Sequence, residues 1–302
     1  MPTYATTRVN PAPLGNAALV LEKTSCGIIH RLSGGSTGAR VIETRVPGSV
    51  GTSKHLGPTE HEDFSLDFDF AMGRPLFDWI AATWAMKAPR IDGVILACDR
   101  TLTPRSQRKF FGALISETTI PALDVTNRDT AWLNLKFAVE ETQLESASGG
   151  RVSGDPGHAQ KRLQPASFRL EIEGLDCTLV RAIDSFTVTQ SLHRIQGLRA
   201  ELVPGTVAFP NLKITFAEVA VESWQTWHED FVVQGNHSSE KEKKGTLTLL
   251  SPDKSKTLAV IYLHGLGIFN LSHAAVEGDL DEQHMLATAE LYCQRMDFGP
   301  GT

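Results

Sequence analysis

The chain has 302 residues, of which 41% are hydrophobic and 21% charged. This balance is typical of globular protein, and the length suits two domains of about 140 residues each. The formal net charge of −6, without a lysine- and arginine-rich stripe, argues against a nucleic-acid-binding surface. No apolar run approaches the roughly 20 residues that span a bilayer, and the first residues lack the charged-then-apolar order of a secretory signal. We therefore expect no membrane insertion.

Strands are predicted by alternating patterns. Residues 1–16, rich in proline and small polar residues, are expected to form an N-terminal arm. Phe64–Phe70 then alternates, with Phe and Leu side chains on one face and Asp67 and Asp69 on the other. Leu133–Ala138 alternates in the same way near the end of the first half. In the second half, residues 168–173 open with strict alternation before a turn-like glycine at position 174.

Each half contains one predicted helix. In the first half the helix follows Pro75, a residue suited to a first helical turn because its missing N–H has no intrahelical partner there. One apolar stripe with helical spacing is formed by Leu76, Trp79, Ile80 and Thr83. A similar stripe around residues 219–233 consists of Val219, Trp224, Trp227 and Phe231. We interpret Trp79 and Trp227 as anchors of a core or an interface.

The order of elements repeats along the chain. The matches are Trp79 with Trp227 (148 apart), the strands at Gly93 and Gly245 (152), Phe110–Ile115 with Tyr262–Gly267 (152), and Trp132–Phe137 with Thr288–Cys293 (156). Offsets that grow in small steps are what loop insertions produce in a duplicated domain. We therefore predict a tandem repeat.

A segment between the two halves, residues 143–166, is rich in Gly, Ser and Pro and is predicted to be a linker. Long segments before the Phe64 and Leu212 strands both contain Val-Pro-Gly, at 46–48 and 203–205, and are predicted to be extended arms. The predicted organisation is an arm (1–16), a first domain (17–142), the linker (143–166) and a second domain (167–302). Each half is expected to hold six or seven strands, one helix and an arm.

No catalytic, cofactor-binding or metal-ligating residue is assigned. Ser33–Gly38 resembles an anion-binding loop but lacks its Gly-Lys-Ser/Thr ending, so we interpret it as a mobile strand connection. His264–Gly267 has no accompanying G-x-S-x-G elbow, and we expect a strand glycine there that admits a close backbone approach. His55 and His61, near acidic residues, are interpreted as part of a solvated turn rather than a metal site. The charge run at 239–244 is expected to be an exposed loop tip.

The four cysteines, Cys26, Cys98, Cys177 and Cys293, form no C-x-x-C pair. Cys26 and Cys177 occupy equivalent positions of the repeat. We interpret all four as buried free thiols of a protein in a reducing cytoplasm.

The motifs suggest a family resemblance. In the second half they are Phe168–Gly174, Val203–Gly205, Leu212–Phe216, Trp224–Trp227, Thr246–Asp253 and Ala289–Tyr292; in the first half they are Val46–Gly48, Phe77–Trp79 and Val94–Asp99. In this order each half resembles the tail-tube proteins of contractile phages and related injection systems, which share a fold with the Hcp ring protein of type VI secretion. The resemblance covers most of residues 17–142 and 167–298.

The resemblance implies a mainly β fold: two tandem antiparallel barrel or sandwich domains, each with one α-helix and an extended arm. It implies no enzymatic activity and no cofactor. Sheet edges would join side by side into rings that stack, with DNA or effector proteins passing through the lumen. Tube subunits typically have one such domain and form hexamers. A two-domain chain favours a trimer with pseudo-six-fold symmetry, and a hexamer is also possible.

The implied partners are neighbouring tube, sheath, hub or spike proteins in a particle assembled in the bacterial cytoplasm. Whether the chain is the tube itself, a hub or a tube initiator stays open. Two other classes also stay open. A non-catalytic β-sandwich module that binds carbohydrate or protein would carry a concave aromatic patch. A hydrolase or isomerase on a duplicated barrel would need convergent carboxylates or a His/Ser pair.

Overall fold

The computed structural model describes residues 15–45, 51–147, 150–152, 162–195, 201–273 and 285–301. The protein is mainly β, with antiparallel sheets and two α-helices in the described ranges, which confirms the predicted fold class. The strands of the first half are β1 (Asn16–Leu21), β2 (Thr24–Ile29), β3 (Arg31–Gly34), β4 (Thr37–Arg45), β5 (Thr52–His61), β6 (Phe64–Phe68), β7 (Ile91–Cys98), β8 (Pro104–Ile120), β9 (Leu123–Asp124), β10 (Leu133–Ala138) and β11 (Glu141–Ser146).

The second half contributes fewer but longer strands. They are β12 (Phe168–Ile172), β13 (Val180–Ile183), β14 (Phe186–Ile195), β15 (Glu201–Ala208), β16 (Leu212–Ala217), β17 (Lys243–Leu250), β18 (Thr257–His273) and β19 (Leu286–Pro300). Helix α1 (Arg74–Trp84) lies between β6 and β7, and helix α2 (Val221–His228) lies between β16 and β17. A 3-10 turn (Glu218–Ala220) precedes α2 and a π-helical turn (Glu229–Val233) follows it.

The two sheets follow the same path through their halves. In the first the order of hydrogen-bonded neighbours is β2-β1-β7-β8-β10-β6-β3, and in the second it is β12-β17-β18-β19-β16-β13-β9. The shared path runs from β1 to β3 and from β12 to β13; β9 is a first-half strand that pairs with β13 at the end of the second sheet. The long strand β19 pairs along β18 where the first half uses two strands, β10 and then β11, along β8. Helix α1 follows β6, and α2 follows β16 after the 3-10 turn, so each half has its helix after the corresponding strand, as the sequence predicts.

Irregularities of the strand register occur at corresponding places. In β7–β8 the pairs Ile91↔Ala113 and Gly93↔Phe110 enclose one extra residue on β8, and in β17–β18 the pairs Lys243↔Leu266 and Gly245↔Leu263 enclose one on β18. The extra residues fall at glycines with positive φ, Gly112 and Gly265, a bulge geometry that suits glycine. Two further register shifts are shared. The shift between Ala39 and Val41 of β4 corresponds to the one between Gln190 and Leu192 of β14. The shift between Ile115 and Glu117 of β8 corresponds to the one between Ile268 and Asn270 of β18.

These registers correct two of the predicted offsets. Phe110 corresponds to Leu263, 153 positions later, rather than to Tyr262. Phe137 corresponds to Leu291, 154 positions later, rather than to Cys293. Equal hydrophobicity of neighbouring residues hid a shift of one or two positions, and only the pairing partners reveal it. The hairpins β4–β5 and β14–β15 also correspond. A residue of β4 matches the residue of β14 that is 151 positions later, and a residue of β5 matches the residue of β15 that is 148 positions later.

The alternating patterns are confirmed within the strands except at Ala138, which was predicted on the polar face and is buried in a cluster with Leu202. Phe64, Leu66 and Phe68 are buried, as are Leu133, Leu135 and Phe137. Strand β6 ends at Phe68, however, and the chain turns inward beyond it, which buries Phe70 and also Asp69. The expectation that Asp69 faces solvent is therefore wrong, because the alternation stops where the strand stops.

Both helices are confirmed, with one correction to the second stripe. Helix α1 has proline in its first turn and buries Leu76, Trp79, Ile80 and Thr83. In the second half Trp224, Trp227 and Phe231 are buried, but Val219 is 85% exposed. Because residues 218–220 form a tighter 3-10 turn, they leave the α-helical spacing and Ala220 is buried instead.

The predicted arms are β-hairpins. β4 and β5 form a separate two-stranded sheet with an almost entirely exposed surface, whereas β14–β15 joins the first-half sheet. The second Val-Pro-Gly lies within β15, and the first, at 46–48, lies outside the described residues. Residues 1–14 of the predicted N-terminal arm are also outside them, and Asn16 already begins β1.

Both ends of the predicted linker, 143–166, contact the first half. Residues 143–146 belong to β11, and buried Leu163 forms a bridge with Ala131. Residues 148–149 and 153–161 lie outside the described part of the chain. The domain boundaries accordingly stay a prediction.

The four cysteines are free, as expected. Cys26, Cys98 and Cys293 are buried, whereas Cys177 is partly exposed, so the burial expectation is wrong for Cys177. Loss of hydration raises the pKa of the Cys26, Cys177 and Cys293 thiols to about 11, which disfavours the reactive thiolate.

Candidate assembly interface

The two halves are joined by strand addition. Strand β14 of the second half pairs antiparallel with the end of β8, with Phe186 opposite Ile120 and Thr189 opposite Glu117. The hydroxyls of Thr119 and Thr187 lie 2.8 Å apart across this pair. β10 occupies the other side of the same β8 segment, so β14 fills an edge that the first-half sheet would otherwise leave open.

The hairpin β14–β15 is held against the first half by polar and apolar contacts. Leu202 is buried in a small cluster with Leu114 and Ala138. Its backbone N–H donates to Glu140 Oε1 at 2.9 Å, and its carbonyl accepts a hydrogen bond from Arg90. Arg90 Nε also lies 3.4 Å from Glu140 Oε1, so the two charged groups clamp one backbone unit between them.

A second arginine, near the turn end of the hairpin, also contacts the first half. Arg194 Nη1 donates to the carbonyl of Val139 at 3.1 Å, and Arg194 Nη2 lies 3.8 Å from Asp63 Oδ1. Burial raises the pKa of Asp63, and the Arg194 charge partly offsets that rise. Burial and the same arginine lower the pKa of His61.

Helix α1 adds an aromatic contact between the two halves. Its Phe77 and Trp84 rings lie 6.1 and 5.5 Å from the Phe298 ring of β19, between ring centroids. Phe298 is 5% exposed, and residues of both halves belong to one continuous core. We call the β8–β14, hairpin and α1–β19 contacts together the half–half joint.

Two strand edges that correspond to this joint lack partners in the described chain. The hairpin β4–β5 pairs with no other described strand. β17 pairs with β18 only as far as Leu266, so among the described strands residues 267–273 of β18 have a partner on the β19 side alone. Exposed apolar side chains lie on these strands: Val41, Ile42 and Leu56 on the hairpin and Phe269 on β18. Two further exposed apolar residues are Leu144 on β11 and Val232 in the turn after α2.

The sequence candidates for chemistry lie apart in the fold. Ser33–Gly38 comprises the end of β3, the connection at Gly35 and Ser36, and the start of β4. In the connection the Glu62 carboxylate accepts hydrogen bonds from the Ser36 backbone N–H and hydroxyl. These bonds lower the Glu62 pKa, so a side-chain anion of the protein already occupies this loop. His55 and His61 lie on β5, so the expected turn is wrong.

The remaining two candidates also belong to local structure. His264 Nε2 lies 2.9 Å from Asp297 Oδ2 on the neighbouring strand. A Cβ at Gly265 or Gly267 would collide with the side chains of Gln294 and Tyr292, so the close approach there is by side chains and not by backbone. In the charge run at 239–244, residues 239–241 form the predicted exposed turn, whereas Glu242 is partly buried and Lys243 and Lys244 already belong to β17.

Asp69 is a polar group that the pattern misplaced. Its Oδ1 accepts a hydrogen bond from the Ala71 N–H at 2.9 Å, while Oδ2 is buried without a partner among the described residues. Burial raises its pKa, with the hydrogen bond from the Ala71 N–H and the Arg162 charge opposing that rise. The folded protein therefore binds a proton at Asp69 more readily than the unfolded chain does.

This shift makes stability depend on pH. Because the folded-state pKa is the higher one, the ionised carboxyl destabilises the fold as pH rises, and the effect disappears below about pH 4. We expect Asp69→Asn to be more stable than wild type at pH 7, with the difference shrinking as pH falls. Urea midpoints across this range would measure it. The exposed Asp129→Asn is the control, and an equal response of both variants would contradict the prediction.

No helix in the described ranges is both long and apolar enough to cross a membrane. Among the described residues no group of three or more His, Cys, Asp and Glu side chains is arranged to hold a metal ion.

No family model and no curated protein matches the chain. Among solved structures, a chain of the sheath–tube complex of an extracellular contractile injection system, PVC, is 18% identical with a TM-score of 0.40 over 48% of this chain and 100% of that one. A chain of the PVC sheath/tube terminator is 19% identical with a TM-score of 0.38, over 45% of this chain and 97% of that one. A chain of the tube-terminating cap of the anti-feeding prophage is 12% identical with a TM-score of 0.36, over 44% of this chain and 88% of that one. TM-scores of this size establish no common fold.

Proposed function

We propose that this chain is a non-catalytic, ring-forming subunit of the inner tube or tube hub of a contractile phage tail or related injection system. It would be a tandem duplication of one tube-like domain, spanning 17–142 and 167–302 around a linker at 143–166. Support comes from the ordered motifs of both halves, the shared sheet path and the shared register shifts.

The half–half joint is the observation that carries this proposal. Two similar β units associate by adding a strand of one to the open sheet edge of the other. Such a head-to-tail contact can be repeated from chain to chain, and it closes into a ring when the rotation permits. Three chains would supply six domains, so we favour a trimer with pseudo-six-fold symmetry over a hexamer. DNA or effector proteins would pass through its lumen.

Neighbouring tube, sheath, hub or spike proteins would contact the faces of this ring, and assembly would take place in the bacterial cytoplasm. A tube protein would stack on itself into long cylinders, whereas a hub would stop at one ring.

Negative-stain electron microscopy and native mass spectrometry of the purified protein test the proposal. We expect rings with a six-fold outline and a mass three times that of the 32.9 kDa chain. The length of any stacks would distinguish tube from hub. A mass of six chains would retain the ring but overturn the trimer. A monomer that persists at high concentration would overturn ring formation and favour the β-sandwich binding module.

A further inference from the structure

The half–half joint supplies a template for a contact between chains. Within one chain the second half adds β14 to β8. The register places the counterpart of β8 residues 117–120 at positions 270–273 of β18, with the offset of 153. The counterpart of β14 residues 187–189 is 36–38 at the start of β4, with the offset of 151. The start of β4 (36–38) is thus a strand end, and β18 at 270–273 is a strand edge, that the half–half joint within one chain does not use.

Both counterparts are exposed in the single chain. Thr118 and Val188 are buried within the half–half joint, whereas their counterparts are the partly exposed Leu271 and the exposed Thr37. A Cβ at Gly38 would meet no atom within 4 Å, so space is open beside the start of β4.

Side-chain chemistry is matched as well. The template pair Thr119 and Thr187, hydroxyl to hydroxyl, corresponds to Ser272 and Ser36, which are both exposed. In the single chain the Ser36 hydroxyl donates to the Glu62 carboxylate and the Ser272 hydroxyl donates to the Thr288 carbonyl, so both would exchange these partners in the contact. At the neighbouring position Glu117, ion-paired with Lys136, corresponds to Asn270, hydrogen-bonded to Glu290 at 3.0 Å. At both β8 and β18, a polar residue of the strand edge is therefore paired with a polar residue of the neighbouring strand, β10 or β19.

The helix contact of the joint has its own counterpart. Phe298, buried against α1, corresponds to Leu144 of β11, which is 69% exposed. Trp84, its partner, corresponds to Val232 behind α2, which is 41% exposed. An apolar pair that is buried between the halves is thus left uncovered on the two outer sides of the chain.

Resting on the proposed function, we propose that the occupant of the β18 edge is a second copy of this chain. Residues 36–38 of one copy pair antiparallel with residues 270–272 of the next, with Ser36 opposite Ser272. Leu144 of the copy that supplies the strand packs beside Val232 of the copy that receives it. This contact repeats the internal joint with the roles of the halves exchanged, so every chain offers one strand and one edge.

Engineered cysteines test the register. Directly opposite residues of an antiparallel pair have Cα atoms about 4.5–5.5 Å apart, within disulfide range, whereas diagonal neighbours lie about 7–8 Å apart and outside it. We expect Ser36→Cys/Ser272→Cys to form, on mild oxidation, a ladder of covalent oligomers that ends at the ring size. Ser36→Cys/Asn270→Cys, two residues out of register on the same face, should give little cross-linking.

The wild type and each single variant control for the native cysteines. Native mass on the same samples separates this proposal from the proposed function. Rings that form without the specific cross-link, or that cross-link equally in the control pair, would overturn this contact and leave the ring function intact. A chain that stays monomeric and does not cross-link would overturn both.

Leu144→Asp supplies a second, independent measurement. Its side chain is exposed in the single chain, so folding should be unaffected while ring formation shifts to at least tenfold higher protein concentration. Leu144→Met keeps the apolar surface and should assemble as the wild type does. Unchanged assembly of the aspartate variant would remove the Leu144 contact from the proposal.

Discussion

Replacing Phe298 by alanine is expected to lower the free energy of unfolding by about 3–5 kcal/mol, the usual cost of removing a fully buried Phe side chain. Phe298 is 5% exposed and lies between Phe77 and Trp84 of α1. Its loss would leave a cavity between the two halves, where the surrounding sheet and helix can collapse only in part. Urea denaturation followed by tryptophan fluorescence measures the change, and Trp84 reports directly on the site.

Leu144→Ala is the matched control for this substitution. Leu144 holds the corresponding position on β11 but is 69% exposed. Removing an exposed side chain changes stability by less than about 0.5 kcal/mol, as measured in dilute monomer. If Phe298→Ala had the same small effect as Leu144→Ala, the α1–β19 contact would contribute little to holding the halves together.

Trp79→Ala is expected to cost a similar amount, about 3–5 kcal/mol. The Trp79 ring is 2% exposed and lies 5.5 Å from the Phe137 ring, between centroids. Its indole N–H also donates to the Pro89 carbonyl at 3.1 Å, which ties the middle of α1 to the loop that follows the helix. Thermal unfolding by circular dichroism measures the loss, and an unchanged melting temperature would contradict a core role for this residue.

A comparison of Trp79→Phe with Trp227→Phe isolates the hydrogen bond. The Trp227 N–H is buried and has no partner among the described residues, although Lys243 Nζ lies 5.4 Å from its ring centroid. Trp79→Phe removes one partner of a hydrogen bond and should cost about 1–3 kcal/mol more than Trp227→Phe, which removes an unsatisfied donor. Equal losses of stability in the two variants would show that the Trp79–Pro89 hydrogen bond adds no measurable stability.

Local patterns predicted the elements well because each depends on residues close in the chain. Alternation in Phe64–Phe68 and in residues 133–137 reflects the period of two of a half-buried strand. The stripe after Pro75 reflects the helical period. The pattern was wrong at Asp69 and Val219, since a strand end and a 3-10 turn change the direction of the chain without a clear mark in composition.

The sequence by itself determined the mainly antiparallel β class, the positions of both helices and the order of elements in each half. Only the tertiary structure decided which strand meets which: β14 joins β8, and α1 packs on β19, between segments about 70 and 210 residues apart. The same holds for the corrected offsets of 153 and 154. A one-residue bulge alters every later pairing while leaving the hydrophobic pattern almost unchanged, so register, and with it the interface, is specified by long-range hydrogen bonds.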